Sequence, residues 1–359
     1  MKFYKNISDY PKNRQVVLSI GKFSSVHLGH QRIIRKVVSL AREKTTKTKK
    51  VHSLLILILP ETESRFFSLE FSCKIFQGLG IDDVIVFALK DIRLVTYDVF
   101  LKDLLQKFHV KNFVASRKLR IGHEKEGTPE KIEAFFEKNK FYGGEKIEIV
   151  WLSSIFFDDV VGDEKKYEEI SKSADLAKKE RFFEKKQLIS SSSLESFMEK
   201  GLAQKARMFA FLPFTLEGVV IHGKGKGKDY GFPTANFHYP PDLVVCKKGS
   251  YASFALIGEK LYKSMTYVGF FQENTIVETY LFNFTGSLYN KHLRIFLFSH
   301  IRDDEKPRDS EHLKKLLRAD SIKCRSFLDG IVQTGSFSFL RFCRRLVSLK
   351  LVEKVALQE

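Results

Sequence analysis

The sequence predicts a two-domain chain, α/β in its first half and predominantly β in its second. Three observations carry this. The chain has 359 residues, enough for two domains at a prior of about 150 residues each. Up to about residue 187, short apolar runs alternate with stretches of helical periodicity, the pattern of a parallel sheet with crossover helices on both faces. From Thr215 onward, runs rich in β-branched and aromatic residues are separated by short polar turns, the pattern of a small antiparallel barrel.

Taken in order, residues 16–20 read as a short buried strand ending at Gly21, followed by an amphipathic helix to about residue 43. Further buried strands are predicted at 54–59, 84–87, 113–115 and 147–152, with helices at about 69–78, 98–108 and 129–140. In the second half, strands are predicted at 219–221, 251–256, 265–271, 276–284 and 293–298, then a helix over 309–328. Residues 335–359 alternate Phe and Leu with Arg and Lys, an amphipathic helix read as covering the core rather than a membrane surface. The predicted division is an α/β nucleotide-binding domain over 1–187, a linker helix over 188–208, a β domain over 209–334 and a helical tail over 335–359.

The totals narrow the class of protein. An apolar fraction of 43% is that of a globular chain. The longest strongly apolar run, 54–59, is far too short to span a bilayer, and residues 1–14 lack the apolar segment of a signal peptide. A cytoplasmic protein without a membrane partner is expected. The net charge of +18 raises nucleic acid as a partner. The lysines, however, are interspersed with glutamates, and their one dense run, 44–50, reads as a solvated turn. A basic surface equally suits anionic nucleotides, so small molecules are the expected partners and nucleic acid is not. Cys73, Cys246, Cys324 and Cys343 form no C-x-x-C pair, which argues against a zinc site or a disulfide framework. Oligomeric state is left open.

Two stretches carry chemistry. Residues 223–236 read Gly-Lys-Gly-Lys-Gly-Lys-Asp-Tyr-Gly-Phe-Pro-Thr-Ala-Asn and follow an apolar, strand-like run at 216–221. Gly223, Gly225 and Gly227 let successive backbone N–H groups converge on an anion, and the lysines between them add charge. No Gly-Lys-Ser/Thr ends the stretch and no helical pattern follows, so it is not a Walker loop. Thr234 and Asn236 share a face if the chain is extended there, as Mg²⁺ carrying phosphate oxygens requires. On glycines and lysines alone, a mobile hairpin tip would be the better reading. The other stretch is Gly21-Lys-Phe23-Ser-Ser-Val-His27-Leu-Gly29-His30. Its histidines, three apart at a helix start, share a face where free N–H groups attract phosphate and could stabilise charge developing there. Gly29 between them lets a ligand approach the backbone. Two exposed histidines would be the reading for an isolated pair, and no third metal ligand is suggested nearby.

The first stretch, through Gly231 and Pro233-Thr234-Ala-Asn236, resembles the ATP site of riboflavin kinases. The similarity continues at Gly249-Ser-Tyr-Ala252, Glu278-Thr-Tyr-Leu-Phe-Asn-Phe284, Leu288-Tyr289 and Ile301-Arg302-Asp-Asp-Glu-Lys306, covering about 209–328. Together with His27-x-Gly29-His30 and Ile189-Ser190-Ser191-Ser192, the order resembles the bacterial bifunctional riboflavin kinase/FMN adenylyltransferase family. The resemblance implies a Rossmann-like nucleotidyltransferase domain, then a six-stranded kinase barrel with a helix packed after it. It implies ATP with Mg²⁺ as co-substrate, riboflavin as substrate, and FMN or FAD as product. Glu278 then stands where the family's catalytic base accepts the proton of the ribityl 5′-hydroxyl; otherwise it would pass as one charged position on a half-buried strand. Gly223, Gly225, Gly227 and Gly231 would hold phosphate, and Thr234 and Asn236 phosphate and Mg²⁺. Arg302 would hold nucleotide or flavin, with a surface salt bridge as its alternative reading. Gly21, Phe23, His27, Gly29, His30, Ser190, Ser191 and Ser192 would form the adenylyltransferase nucleotide site.

The chain departs from the family pattern at several positions. Ser24-Ser25 replaces Asp-Gly, and Lys118 replaces an Asp or Asn ahead of Gly122 and Gly127. Glu195 replaces an arginine. Reversing a charge ~4 Å from another changes their interaction by several kcal/mol at an effective dielectric of ~20. These departures predict FMN synthesis with low or absent adenylylation. Tyr267-Val-Gly269 and Pro307 also depart from the family, near its flavin contacts. The alternatives are a fully competent bifunctional FAD synthase and, outside enzymes, a flavin- or nucleotide-binding regulator.

Overall fold

A computed structural model of the protein describes residues 1–61, 63–139, 141–142, 145–156, 188–223, 226–271 and 274–358. Contacts divide the chain into two units: Met1–Glu63 with Leu69–Phe156, and Ser64–Ser68 with the described part of Phe157–Glu359.

In the first unit, the predicted apolar runs become a parallel sheet. Its strands are β1 (Lys2–Tyr4), β2 (Gln15–Gly21), β3 (His52–Leu59), β4 (Asp83–Ala88), β5 (His109–Ser116) and β8 (Glu148–Leu152). Two-residue strands β6 (Phe141–Tyr142) and β7 (Glu145–Lys146) form a separate ribbon. The helices are α1 (Leu28–Lys44), α2 (Leu69–Gly78), α3 (Leu89–Ile92), α4 (Tyr97–Lys107) and α5 (Pro129–Lys138). Val16, Val17, Leu18 and residues 54–57 are all buried, as strands covered on both faces require. The sheet order is β1-β4-β3-β2-β5-β8. The chain therefore steps outward from β2 through β3 and β4, then crosses to β5 on the other side. Ligands of such sheets bind where that reversal opens a crevice, beyond the carboxyl ends of the strands. Here that place is the ends of β2 and β5. Strand β1 is too short for any periodicity to announce it.

The second unit begins with α6 (Ser191–Glu199) and α7 (Ala203–Phe209). The linker predicted as one helix is thus two, broken at Gly201, whose φ of +76° ends the first. The barrel comprises β9 (Phe214–Val219), β10 (Ala235–His238), β11 (Gly249–Ile257), β12 (Lys260–Phe271), β13 (Asn274–Leu281) and β14 (His292–Asp303). Its antiparallel order is β10-β13-β12-β11-β14-β9. A bridge between Ile221 and Asn236 joins the two ends, with the Ile221 N–H donating to the Asn236 carbonyl at 2.8 Å. A one-turn helix, α8 (Lys226–Asp229), lies between β9 and β10. It corrects the expectation that no helix follows the glycines, because Gly227 O accepts from both Tyr230 N and Phe232 N and winds the chain into a turn.

Helix α9 (Ser310–Gln333) follows β14 and runs five residues beyond its predicted end. Its Cys324 and Leu328 are buried. The tail is a helix only as far as Ser348, as α10 (Phe337–Ser348). Phe342 of α10 packs against Phe254, Phe296 and Phe298 of the barrel, with ring centroids 4.9–5.8 Å apart. Beyond it, β15 (Ala356–Gln358) pairs in parallel with Lys260–Tyr262 of β12. That strand corrects the all-helical tail: an unpaired edge of β12 is satisfied by backbone hydrogen bonding, which the amphipathic pattern does not report. Among the described residues no helix is long and apolar enough to cross a membrane.

Candidate functional site

In the second unit, backbone and side chains gather around the glycine stretch. Gly225 lies outside the described residues. A Cβ at Gly223 would overlap the Asn236 amide, so the missing side chain lets the loop lie directly over Asn236. A Cβ at Gly227 would overlap the Phe232 carbonyl, and Thr234 Oγ1 is 3.5 Å from that point. Gly231 turns with φ +81°, a conformation glycine adopts without penalty. His222, just ahead of the loop, stacks on Tyr289 with centroids 3.9 Å apart. Thr234 stands one residue before β10 and Asn236 lies within it, buried, its Nδ2 donating to the Thr234 carbonyl at 3.2 Å. The amide oxygen is thereby left as the acceptor. Thr234 Oγ1 and Asn236 Oδ1 are neutral side-chain oxygens two residues apart beside the glycine loop. Such a set fits Mg²⁺ carried mainly by nucleotide phosphates, not a dedicated protein cage.

Strand register then extends the site sideways. Asn236 is directly opposite Glu278 across β10 and β13. Glu278 is opposite Tyr267 on β12, Tyr267 opposite Ser250 on β11, and Ser250 opposite Arg302 on β14. Directly paired residues present their side chains to the same face. The structure therefore places Asn236, Glu278, Tyr267, Ser250 and Arg302 in one row across five strands. At about 4.8 Å per strand, Arg302 lies about 14 Å along the row from Glu278.

Arg302 is engaged within the fold. Its Nε lies 3.1 Å from both oxygens of Asp320 and its Nη2 2.9 Å from Oδ2, while Nη1 donates to the Asp303 carbonyl at 2.8 Å. Burial works against its charge, but the Asp320 carboxylate more than offsets this and raises its pKa. Of the two readings of Arg302 the structure shows the ion pair, with a buried carboxylate of α9 rather than a surface one. The sequence marked Ser250 within a matched motif and Tyr267 near the family's flavin contacts, but did not join either to Glu278 and Asn236 in one row. The Tyr267 phenol donates to Asp304 Oδ1 at 2.6 Å, and its ring lies where a Cβ of Gly269 would be. Only strand pairing, which a single sequence does not display, lines them up.

In the first unit, Gly21, Phe23, His27, Gly29 and His30 come together at the end of β2, at the strand-order reversal. A Cβ on Gly21 would press on the Phe23 ring at 3.1 Å. Phe23 and Val26 have φ of +47° and +43°, a left-handed conformation that is unusual for aromatic and β-branched residues and typical of functional bends. Ser24 and Ser25 are buried between them. His27 caps α1, its Nδ1 accepting from Gly29 N at 3.1 Å and from His30 N at 3.4 Å. A Cβ at Gly29 would lie 2.9 Å from the His27 ring, so glycine is what lets the imidazole fold over the helix start. The His27 and His30 rings stack 3.8 Å apart, and Phe23 packs on His30. Burial lowers the His27 pKa to about 4. The ring is therefore neutral at pH 7, and an accepting Nδ1 puts its one proton on Nε2.

The departing positions fall elsewhere. Lys118 is exposed just after β5. A Cβ at Gly122 would lie 2.5 Å from the Tyr97 backbone nitrogen, and one at Gly127 2.5 Å from Tyr97 Cβ; these two glycines seat the start of α4. Ser190, Ser191 and Ser192 belong to the second unit. Ser190 caps α6, accepting from Ser193 N at 3.2 Å while its own N–H donates to Ser193 Oγ at 2.9 Å. Glu195 follows in that helix.

Comparison with known proteins gives two family matches: riboflavin kinase over residues 210–328 and FAD synthetase over 9–148. A bifunctional riboflavin kinase/FMN adenylyltransferase of Buchnera aphidicola subsp. Schizaphis graminum is 24% identical over 323 residues, covering 85% of this chain and 91% of that protein. The protein of the same description from Listeria monocytogenes is 23% identical over 327 residues, covering 87% and 92%. A crystal structure described as a macrolide-efflux protein from Streptococcus pneumoniae superposes with a TM-score of 0.70 at 19% identity, covering 90% of this chain and 98% of its own. That likeness speaks to the fold alone.

Proposed function

We propose, for a chain that belongs to the bifunctional riboflavin kinase/FMN adenylyltransferase family, that the barrel phosphorylates riboflavin and the α/β unit adenylylates the resulting FMN weakly. The observation that carries the kinase reading is the direct pairing of Glu278 with Asn236 beside the glycine loop. A carboxylate and a phosphate- and Mg²⁺-binding oxygen then share one face, one strand apart. ATP enters with Mg²⁺, which neutralises charge on the phosphates. The backbone at Gly223, Gly227 and Gly231 cradles those phosphates, and Thr234 and Asn236 orient them. Glu278 accepts the proton of the ribityl 5′-hydroxyl as its oxygen bonds to the γ-phosphorus. The bond to the β-phosphate oxygen breaks, releasing ADP and FMN. Arg302, held by Asp320, anchors α9 against the barrel and contributes through positioning.

At the end of β2, the neutral His27 offers an Nε2–H and His30 a second imidazole to nucleotide phosphates, over a glycine that leaves the backbone open. These features support nucleotide binding. Ser24, Lys118 and Glu195 replace charged or polar groups of the family pattern, and their loss supports slow adenylyl transfer. Removing one transition-state arginine commonly lowers kcat by roughly 10³-fold or more. A cytoplasmic location is part of the same proposal. The test is an HPLC assay of the purified chain with riboflavin, ATP and Mg²⁺. FMN accumulating well ahead of FAD is the expected outcome. FAD keeping pace with FMN would overturn the weak-adenylylation reading, and no FMN would overturn the kinase.

A further inference from the structure

We propose that Tyr267 is a specificity-determining residue for the alcohol substrate: its phenol oxygen, with its own proton committed to Asp304, accepts a hydrogen bond from the substrate's polyol chain. The acceptor lies on the same face as Glu278 but over Gly269, one same-face position further along the strands, so the hydroxyl it reads is further along the polyol than the one that Glu278 deprotonates. This deepens the kinase reading and rests on it. Tyr267 is directly opposite Glu278 across β12 and β13, on the same face. The phenol oxygen reaches over Gly269, which is paired with Ile276 and so diagonal to Glu278; diagonal positions are about 7–8 Å apart, a span that an extended polyol chain can bridge.

A phenol has one proton to give and lone pairs to offer. At Tyr267 the proton goes to Asp304 Oδ1 at 2.6 Å, which leaves the oxygen an acceptor facing a donor-rich ligand. Burial first, and then the Asp304 and Glu278 carboxylates, raise its pKa, so the phenol does not ionise and compete for that role. The ring is also held in place. It occupies the space over Gly269 where any Cβ would overlap it, and Asp304 fixes its outer end. Such pre-organisation is what allows one hydrogen bond to discriminate between ligands.

The test compares the full chain with its Tyr267→Phe variant, which keeps the ring and removes only the oxygen. The expected result is a riboflavin KM about 5- to 10-fold higher, the scale of one lost hydrogen bond, with kcat within about twofold and the ATP KM unmoved. Lumiflavin has the ring system but no polyol. Its binding, followed by fluorescence quenching, is expected to be equal in the two proteins. Asp304→Ala, which releases the phenol proton, is expected to raise the same KM. An unchanged riboflavin KM in Tyr267→Phe would overturn the proposal, as would an equal loss of lumiflavin binding. A wild-type chain that forms no FMN would remove the kinase reading and this proposal with it.

Discussion

Glu278 and His27 carry the predictions that belong to single side chains. Replacing Glu278 with Gln keeps the shape and removes the proposed base, so kcat for FMN formation is expected to fall about 10²- to 10⁴-fold, with the ATP KM little changed in steady-state assays. His27 makes a prediction about stability. Its folded pKa of about 4 lies below the ordinary value of 6.5, so the unfolded chain takes up the proton first as pH falls. The stabilisation is therefore complete above pH 6.5 and lost between 6.5 and about 4, a span worth about 3 kcal/mol. His27→Asn keeps a cap acceptor without that titration. Urea unfolding of the variant is expected to depend less steeply on pH across this window. Equal slopes in the two proteins would show that His27 titrates freely. The His27–Gly29–His30 cluster was legible from its spacing at a predicted helix start. The strained Phe23 and Val26 were not, because backbone conformation there is imposed by the tertiary bend and carries no residue signature.

Among elements, α9 and α10 lean on the barrel in different ways. Helix α9 is tied by an ion pair in which Asp320 is almost fully buried (side chain 3% exposed) and Arg302 largely so (20%). Removing one partner of such a pair leaves an uncompensated charge. Asp320→Ala is expected to cost about 3 kcal/mol in denaturant unfolding, and Arg302→Met with Asp320→Leu to recover much of it. Helix α10 is tied by aromatic packing, and Phe342→Ala is expected to cost about 3–5 kcal/mol. Apolar periodicity made most of the strands and helices readable, since burial writes itself into residue type. Partnerships between elements were less readable. The Arg302 motif marks a functional position in a family, yet its nearest carboxylate sits in a different element 18 residues away. Likewise the strand β15 depends on backbone pairing, to which the Ala-Leu-Gln side chains at 356–358 give no clue.

At the scale of the whole molecule, two units with separate cores predict separable unfolding. Calorimetry of the full chain is expected to show two transitions. Riboflavin with Mg·ADP is expected to raise the one belonging to the barrel more than the other, by about 2.7 kcal/mol when the barrel's ligand is at 100 times its Kd. A shift of both transitions together would mean that the chain unfolds as one body. The sequence pattern marked both candidate nucleotide sites because each follows a strand end, where glycines and small polar residues interrupt apolar runs. It could not rank the members of the barrel site, whose row is assembled from five strands by register.

The seam of the barrel offers a direct view of that site. Asn236 supplies its side chain to the end of the row proposed to hold phosphate and its carbonyl to the Ile221 N–H that joins the two ends of the sheet. Opening the seam and loosening the site are therefore one motion at one residue. In deuterium-exchange experiments the Ile221 amide becomes a spectator that reports occupancy. Its uptake should slow when Mg·ADP is added, in a protein whose chemistry has been silenced by Glu278→Gln, with no turnover needed to see it.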